Sequence, residues 1–424
     1  MTDFIAELEW RGMLHDAMPG VREHLSTPRV GYIGFDPTAP SMTIGNFVQI
    51  QLLTLFQRCG HTPVVLMGGA TGRIGDPSGK DKERELKSYD ELDNNLQHQV
   101  VQMRRFLDFE TGDNRARLVN NLDFYKEMNV LTFLRDVGKT LTVNYMSSKE
   151  SVKKRVETGM SFTEFSYQLL QGYDYQVLFE QEDCTLQMGG SDQWGNITSG
   201  TEFIRRNLGE KAYAVTTPLL TKSDGTKFGK SERGNIWLDA ELTSPYDFYQ
   251  FWVRIDDADT SKFLRYFTLK SRAEVEALEA EYADRPQALK NQLAEELTVR
   301  VHGAEAYESA QQVSRLLFQR MNAATLRTMS ADALRTVGRE VTSYRIARSE
   351  LTGGLTVTDL MASRTDMCAS NGDVRRAIKG NAVSINKEKV TRHDAPITAE
   401  QLLHDRFLLV ENGKKNKYLV EVTG

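Results

Sequence analysis

No run of about 18 consecutive apolar residues, the length that spans a bilayer as a helix, occurs in this 424-residue chain. Met1 to Trp10 also lacks the basic start and unbroken apolar stretch of a targeting segment, because Asp3, Glu7 and Glu9 interrupt it. It reads as an ordinary amphipathic first helix, and a cytoplasmic protein with no membrane contact is expected. Cysteine is scarce: Cys59, Cys184 and Cys368 lie far apart and form no C-x-x-C pair, which argues against zinc ribbons and a disulfide framework. No structural metal is expected. Positive charge is also short, with 53 Lys+Arg against 58 Asp+Glu and a formal net charge of -5. A generally basic surface is thereby excluded, so any nucleic acid must be held by local positive patches. There is no low-complexity tract and no internal repeat.

What is present is 40% apolar and 26% charged residues, enough to bury substantial cores in about two to four domains. The first half alternates β-rich runs (Val30 to Phe35, Pro63 to Met67, Thr185 to Met188) with longer stretches of helical period. That alternation predicts an α/β fold with a parallel sheet. Two of the runs end in glycine-rich turns, at Gly68 to Gly72 and at Gly189 to Asp192, where ligands of open α/β sheets sit. From Ser244 to about Gln319 strand signals fade and helical spacing takes over, predicting a separate helical domain. The last unit, from about Gly354 to Gly424, has a small basic excess that suits nucleic acid or a solvated surface equally.

Three segments carry candidate chemistry. Thr221 to Ser231 contains Lys222, Lys227 and Lys230 with Gly225 and Gly229 and has no regular apolar period. It reads either as a mobile loop whose ammonium groups converge on polyphosphate or as a hairpin turn at Asp224-Gly225 with solvated lysines. Val30 to Thr38, then Ser41 to Asn46 and an apolar helix to about Cys59, reads as strand, turn, helix. Thr43 and Asn46 then stand at a helix N-terminus, where free N–H groups and the positive dipole end suit phosphate, although polar capping is the commoner use. In Ser161 to Asp174, Phe162, Phe165 and Leu169 share one helical face, while Tyr167, Gln171 and Asp174 recur on another. That stripe either lines a small polar pocket or faces solvent.

Six stretches, in order along the chain, carry a resemblance to a known family: Gly34-Phe35-Asp36-Pro37-Thr38, Gly68-Gly69-Ala70-Thr71-Gly72, Ile74-Gly75-Asp76-Pro77-Ser78, Ser161 to Tyr167, Gly189 to Asn196, and Lys227-Phe228-Gly229-Lys230-Ser231. Together they resemble the bacterial-type tyrosyl-tRNA synthetases, class I enzymes, over essentially the whole chain. The resemblance implies a Rossmann-like catalytic domain over 1–235, including the lysine loop. An anticodon-binding-like helical domain (236–325), a linker (326–353) and an S4-like RNA-binding module (354–424) follow. It implies tyrosine, ATP with Mg²⁺, and tRNA(Tyr) as partners, and a homodimer joined near Asn129 to Met146. Tyr32 and Asp174 would meet the phenolic hydroxyl, and Asp76, Tyr167 and Gln171 the α-ammonium. Gln193 would address the attacking carboxylate. Asp36, Gly190 and Asp192 would lie on the nucleotide side, with Asp192 on ribose hydroxyls and Gly190 leaving room for the sugar. Lys227 and Lys230, with Ser231, would stabilise the departing pyrophosphate, and Lys80 and Arg84 would be auxiliary phosphate contacts.

The chain departs from the family at its His-Ile-Gly-His signature, which here reads Thr43-Ile44-Gly45-Asn46, and no histidine lies between His24 and His61. Asn46 keeps a neutral N–H donor, whereas Thr43 has a shorter group that carries no charge. The expectation is an active enzyme in which Thr38 and Thr43 jointly hold the departing phosphates. In the last unit Arg375, Arg376 and Lys379 lie near one helical face and are expected on RNA phosphates, with Lys414, Lys415 and Lys417 as a second cluster. Two other readings stay open: a tryptophan-activating relative, and a synthetase-derived RNA-binding protein without aminoacylation.

Overall fold

The computed structural model describes residues 2–78, 84–226, 228–231, 234–319, 321–413 and 416–424, leaving aside the side chains of Ser151, Lys154, Thr158, Lys230 and Ser231. Among them the β-rich runs form β1 (Val30–Phe35), β2 (Thr62–Met67), β3 (Arg117–Asn120), β4 (Cys184–Gly190) and β5 (Tyr213–Thr217). These make one sheet in the order β3-β2-β1-β4-β5, parallel throughout, as the alternating pattern predicts. Every residue of β2 is buried, the mark of a strand covered on both faces. The chain moves from β1 outward to β2 and β3, then crosses back to β4, so strand order reverses between β1 and β4. Ligands of open α/β sheets bind at the carboxyl ends beside such a reversal.

Helices Ile44–Arg58, Phe162–Glu182 and Trp194–Leu208 make the crossovers around β1, β4 and β5. Tyr32, Val64 and Leu66 from the strands pack with Tyr175, Leu178 and Ile204 from two of these helices. Each such large side chain contributes about 1.5–3 kcal/mol by leaving water. The result is a fixed platform for the loops at the strand ends.

The described chain divides into two compact units, Met1–Thr243 with Phe251–Val301, and Ser244–Gln250 with His302–Gly424. This differs from the expected boundaries. Of the stretch 236–325 read as one helical domain, residues 251–301 belong with the parallel sheet. Aromatic packing is the reason: Trp252, Phe263 and Phe267 surround Phe228, with ring centroids 5.9, 4.8 and 5.5 Å away. The expected linker, 326–353, holds helix Ala331–Glu340 and a strand, Thr342–Ala347. With β6 (Lys230–Ser231) and β7 (Gly234–Asn235) forming a small hairpin, that strand is β8. It joins β9 (Val383–Ile385), β10 (Glu388–Lys389), β11 (Phe407–Asn412) and β12 (Asn416–Thr423) in the order β10-β9-β11-β12-β8. Only Ile346 of β8 is buried, with Tyr344 half-buried on the same core, so the apolar alternation is too short to announce this strand.

Beside this second sheet, helix Asn371–Lys379 buries Val374 and Ile378 and leaves Arg375, Arg376 and Lys379 exposed. No helix among the described residues is long and apolar enough to cross a membrane.

Candidate active site

Tyr32 lies within β1, 1% exposed, and its hydroxyl has no hydrogen-bond partner among the described residues. Asp174, on helix Phe162–Glu182, is also 1% exposed. Its Oδ1 accepts from the Tyr125 hydroxyl at 2.6 Å and its Oδ2 from Asn121 Nδ2 at 2.9 Å. Burial pushes this carboxyl up to about 7, against the opposing pull of those two donors. Burial, and then the nearby Asp174, raises the Tyr32 hydroxyl well above the usual phenol range. Gln171 Oε1 is likewise buried without a partner. Unpaired buried polar atoms cost about 1–3 kcal/mol each, a debt that a polar ligand removes.

The polar stripe Tyr167, Gln171, Asp174 therefore faces inward, and the solvent-facing reading of it fails. The apolar face opposite is incomplete: Leu169 is buried, but Phe162, the first residue after the capping Ser161, is 70% exposed. A helix's first turn projects past the core that its middle covers.

Tyr167 and Asp36, expected on different substrates, are bonded to each other. The Tyr167 hydroxyl donates to Asp36 Oδ2 at 2.9 Å, and the Thr71 hydroxyl donates to Oδ1 at 2.6 Å. Burial pushes the Asp36 carboxyl up to about 6, with Asp76 adding to the rise and these two hydroxyls opposing it. Asn121 joins both carboxylates, because its Nδ2 also donates to Thr71 Oγ1 at 3.0 Å while its Oδ1 accepts from Ala70 N at 2.7 Å. The polar floor is thus one chain of hydrogen bonds, Asp174–Asn121–Thr71–Asp36–Tyr167. Gly68 makes it possible: a Cβ there would lie 2.1 Å from Asp36 Oδ1 and 2.6 Å from Thr71 Oγ1.

Asp76 gathers Gln193 Nε2 at 2.7 Å on Oδ2, and Ser78 N at 2.9 Å and Asn196 Nδ2 at 3.3 Å on Oδ1. Gln193, expected on a substrate carboxylate, is therefore held by Asp76. Beside Gly190 the space is taken by the neighbouring carboxylate, since a Cβ would lie 2.6 Å from Asp192 Oδ1. Thr38 and Arg84 line one cavity of about 220 Å³, with Gly72 and Gly75 in its wall.

Thr43 caps helix Ile44–Arg58, and Asn46 Oδ1 accepts from Thr43 N at 2.9 Å and from its hydroxyl at 2.8 Å. The lysine loop lies on this same helix start. Gly229, at φ +96°, comes so close that a Cβ would sit 3.2 Å from Ile44 Cγ2 and 3.3 Å from Gly45 N. The loop is anchored by buried Phe228, and Ile236 bridges it to the helix by accepting from Ile44 N at 2.9 Å and donating to Gly229 O at 3.3 Å. The turn at Asp224-Gly225 exists as well, with Thr226 N donating to Asp224 Oδ1 at 2.8 Å. Lys227, Lys80, Lys414 and Lys415 lie outside the described residues, as do the side chains of Lys230 and Ser231.

Asn121, Tyr125, Thr71 and Asn196 are site residues that sequence reasoning did not assign. Thr71 and Asn196 stand inside quoted motifs. Asn121 follows β3, whose four residues are exposed or half-buried, so no apolar run marks a strand end there.

Comparison with known proteins agrees in both halves. The family of class I tRNA synthetases (W and Y) matches residues 26–319, and a tyrosine–tRNA ligase SYY-like C-terminal domain matches 336–420. The tyrosine–tRNA ligase of Cytophaga hutchinsonii is 52% identical over 425 residues, covering 99% of both chains. That of Bacteroides fragilis is 50% identical over 426 residues, again covering 99% of both. A C-terminally truncated mitochondrial tyrosyl-tRNA synthetase of Aspergillus nidulans superposes with a TM-score of 0.67 at 31% identity, covering 75% of this chain and 95% of that one.

Proposed function

The chain belongs to the class I tRNA synthetases of the W and Y family, and from that premise we propose which residues carry its chemistry. It is a ligase that activates tyrosine with ATP and transfers it to tRNA. The observation that carries the residue assignment is the buried, unpartnered Tyr32 hydroxyl, close enough to buried Asp174 to be raised by its charge. A phenol donates to a carboxylate and accepts from a hydroxyl, so it satisfies both. Phenylalanine does neither, and an indole N–H donates but offers Tyr32 no acceptor. Asp76, Tyr167 and Gln171 surround the α-ammonium in this reading, and Gln193 orients the carboxylate that attacks the α-phosphate. Asp36, Gly190 and Asp192 line the nucleotide side. Thr38, Asn46, Lys227, Lys230 and Ser231 hold the phosphates, with Lys80 and Arg84 as outer contacts.

Mg²⁺ enters as part of the ATP complex, since this ion keeps several waters and binds through substrate phosphates. The adenylate forms by in-line displacement, and positioning together with charge stabilisation on the departing pyrophosphate supplies the rate. The terminal ribose hydroxyl of tRNA(Tyr) then attacks the tyrosyl carbonyl and releases AMP. Amino-acid-dependent exchange of pyrophosphate into ATP tests the pocket: exchange with tyrosine is expected, and exchange with tryptophan instead would refute the Tyr32–Asp174 assignment.

Asn121→Ala gives a prediction specific to this structure. Removing the amide takes one donor each from Asp174 Oδ2 and Thr71 Oγ1 and the acceptor from the Ala70 N–H. The expected loss is about 1–3 kcal/mol, or roughly 5- to 150-fold in kcat/KM for tyrosine, with KM for ATP little changed. Steady-state exchange kinetics check it.

The exposed basic face of helix Asn371–Lys379 supports an S4-like contact to the tRNA backbone, although Arg376 also pairs with Asp373. Replacing Arg375, Arg376 and Lys379 with alanine should leave pyrophosphate exchange intact and raise KM for tRNA. Each lost phosphate contact should reduce the salt dependence of binding by about one unit of slope. Unchanged charging kinetics across salt would remove these residues from the RNA contact. The homodimer is supported by the exposure of four large apolar side chains within 129–146, Val130, Leu131, Leu134 and Val143, the kind of surface that a second copy covers.

A further inference from the structure

We propose that Thr43 works through Asn46 rather than on the nucleotide itself: it fixes the Asn46 side-chain amide so that Nδ2 is presented to an oxygen of bound ATP. The inference deepens the reading above and rests on its placement of ATP at this helix start. A backbone N–H can only donate, so the atom of Asn46 facing Thr43 N at 2.9 Å must be Oδ1. The Thr43 hydroxyl sends its proton to the same oxygen at 2.8 Å. A flipped amide would set Nδ2 against the Thr43 N–H, donor against donor, and leave that N–H without an acceptor. The backbone N–H therefore determines which way the amide points, and the hydroxyl holds the same oxygen with a second bond.

With Oδ1 occupied twice, Nδ2 has no partner among the described residues, and Asn46 is exposed. The turn that carries it is the one against which Gly229 of the lysine loop packs. The hydroxyl proton of Thr43 is already spent on Asn46, so the threonine has none left for a phosphate. Thr43 and Asn46 thus act as one unit that supplies a single oriented, neutral N–H donor. Thr43 is a positioning residue, and Asn46 is the group that touches substrate.

A double-mutant cycle on the full-length chain, read by tyrosine-dependent pyrophosphate exchange, separates the roles. Asn46→Ala should lower kcat about hundredfold, the effect of losing a preorganised donor. Thr43→Val should lower it about tenfold, with Thr43→Ser restoring most of the rate. Thr43→Val added to Asn46→Ala should change the rate less than about twofold, because the threonine then has nothing to orient. Asn46→Asp keeps an acceptor for both Thr43 donors and puts an acidic residue in a helix's first turn, so it should fold with an unchanged Tm. It should nevertheless lose exchange at least as severely as the alanine variant.

A further tenfold loss in the double variant would show Thr43 acting directly on ATP and overturn the proposal. Normal exchange in Asn46→Asp would also overturn it, by reducing the pair to a helix cap. Failure of the underlying reading looks different: Lys230→Ala and Asn46→Ala would both exchange at the parental rate, showing that ATP phosphates lie elsewhere.

Discussion

Asp174→Ala should lower kcat/KM for tyrosine activation by about 10³-fold or more, the largest loss expected for any single pocket residue. The substitution removes the acceptor for the substrate phenol and, in the same step, takes an acceptor from the Tyr125 hydroxyl, which keeps Leu170 O at 3.0 Å, and from Asn121 Nδ2, which keeps Thr71 Oγ1 at 3.0 Å. Hydrogen bonds to a charged group contribute about 1.5–3 kcal/mol each, and the variant loses those to the substrate phenol, Tyr125 and Asn121 together. Loss of less than tenfold would place the phenol elsewhere.

Asp174 also predicts a pH dependence. Its carboxyl is raised to about 7 by burial, above the ordinary carboxylate value, so the folded chain holds this proton where the unfolded chain has released it. The group's contribution to stability is therefore highest at low pH and declines as pH rises toward about 7. A bound phenol donates to the ionised form and pulls the carboxyl pKa back down. Tyrosine binding should release a proton between about pH 5 and 7, and affinity should strengthen with pH across that window and level off above it. Titration calorimetry at pH 6.5 in buffers of different ionisation enthalpy reads the released proton directly. Asp36, raised to about 6, titrates nearby, so the pH profile of Asp174→Asn isolates the share that belongs to Asp174. A tyrosine affinity constant from pH 5.5 to 8 would contradict the assignment.

Lys230→Ala should lower kcat for pyrophosphate exchange by about 10³-fold while KM for tyrosine stays within a few-fold. Removing one preorganised neutral donor typically lowers a rate by about 10²- to 10³-fold. Here the demand on the lysine is greater. The opposite side of the phosphate site has no histidine, and its Thr43–Asn46 pair presents one neutral donor instead of imidazoles. In the proposed site, most of the protein's positive charge for the departing pyrophosphate then comes from the loop that Phe228 and Gly229 hold against the helix start. Lys227→Ala should behave similarly. A loss under tenfold at Lys230 would mean that charge reaches the phosphates from another source, with Arg84, beside Thr38 in the same cavity, the first residue to examine.

The sequence by itself determined the parallel α/β architecture, the family and the motifs on which the proposed substrate contacts stand. Each of these is a local property: apolar runs of strand length, glycines where strands end, and short motifs in fixed order. The inward stripe Tyr167, Gln171, Asp174 was legible as a helical period, but whether it faced a pocket or solvent depended on what packed against it. Tertiary structure alone decided that. It also joined Asn121 to Asp174 and Thr71, and Thr71 to Asp36, partners 35 to 53 residues apart in the chain. It drew residues 251–301 into the catalytic unit and made a strand of Thr342–Ala347 where a linker was expected. Hydrogen-bond partners and domain boundaries are set by which distant surfaces exclude water together, and no local spacing encodes that. The Thr43–Asn46 unit combines both levels: the sequence supplied an unusual signature, and only the fold showed which atom of the asparagine was left to act.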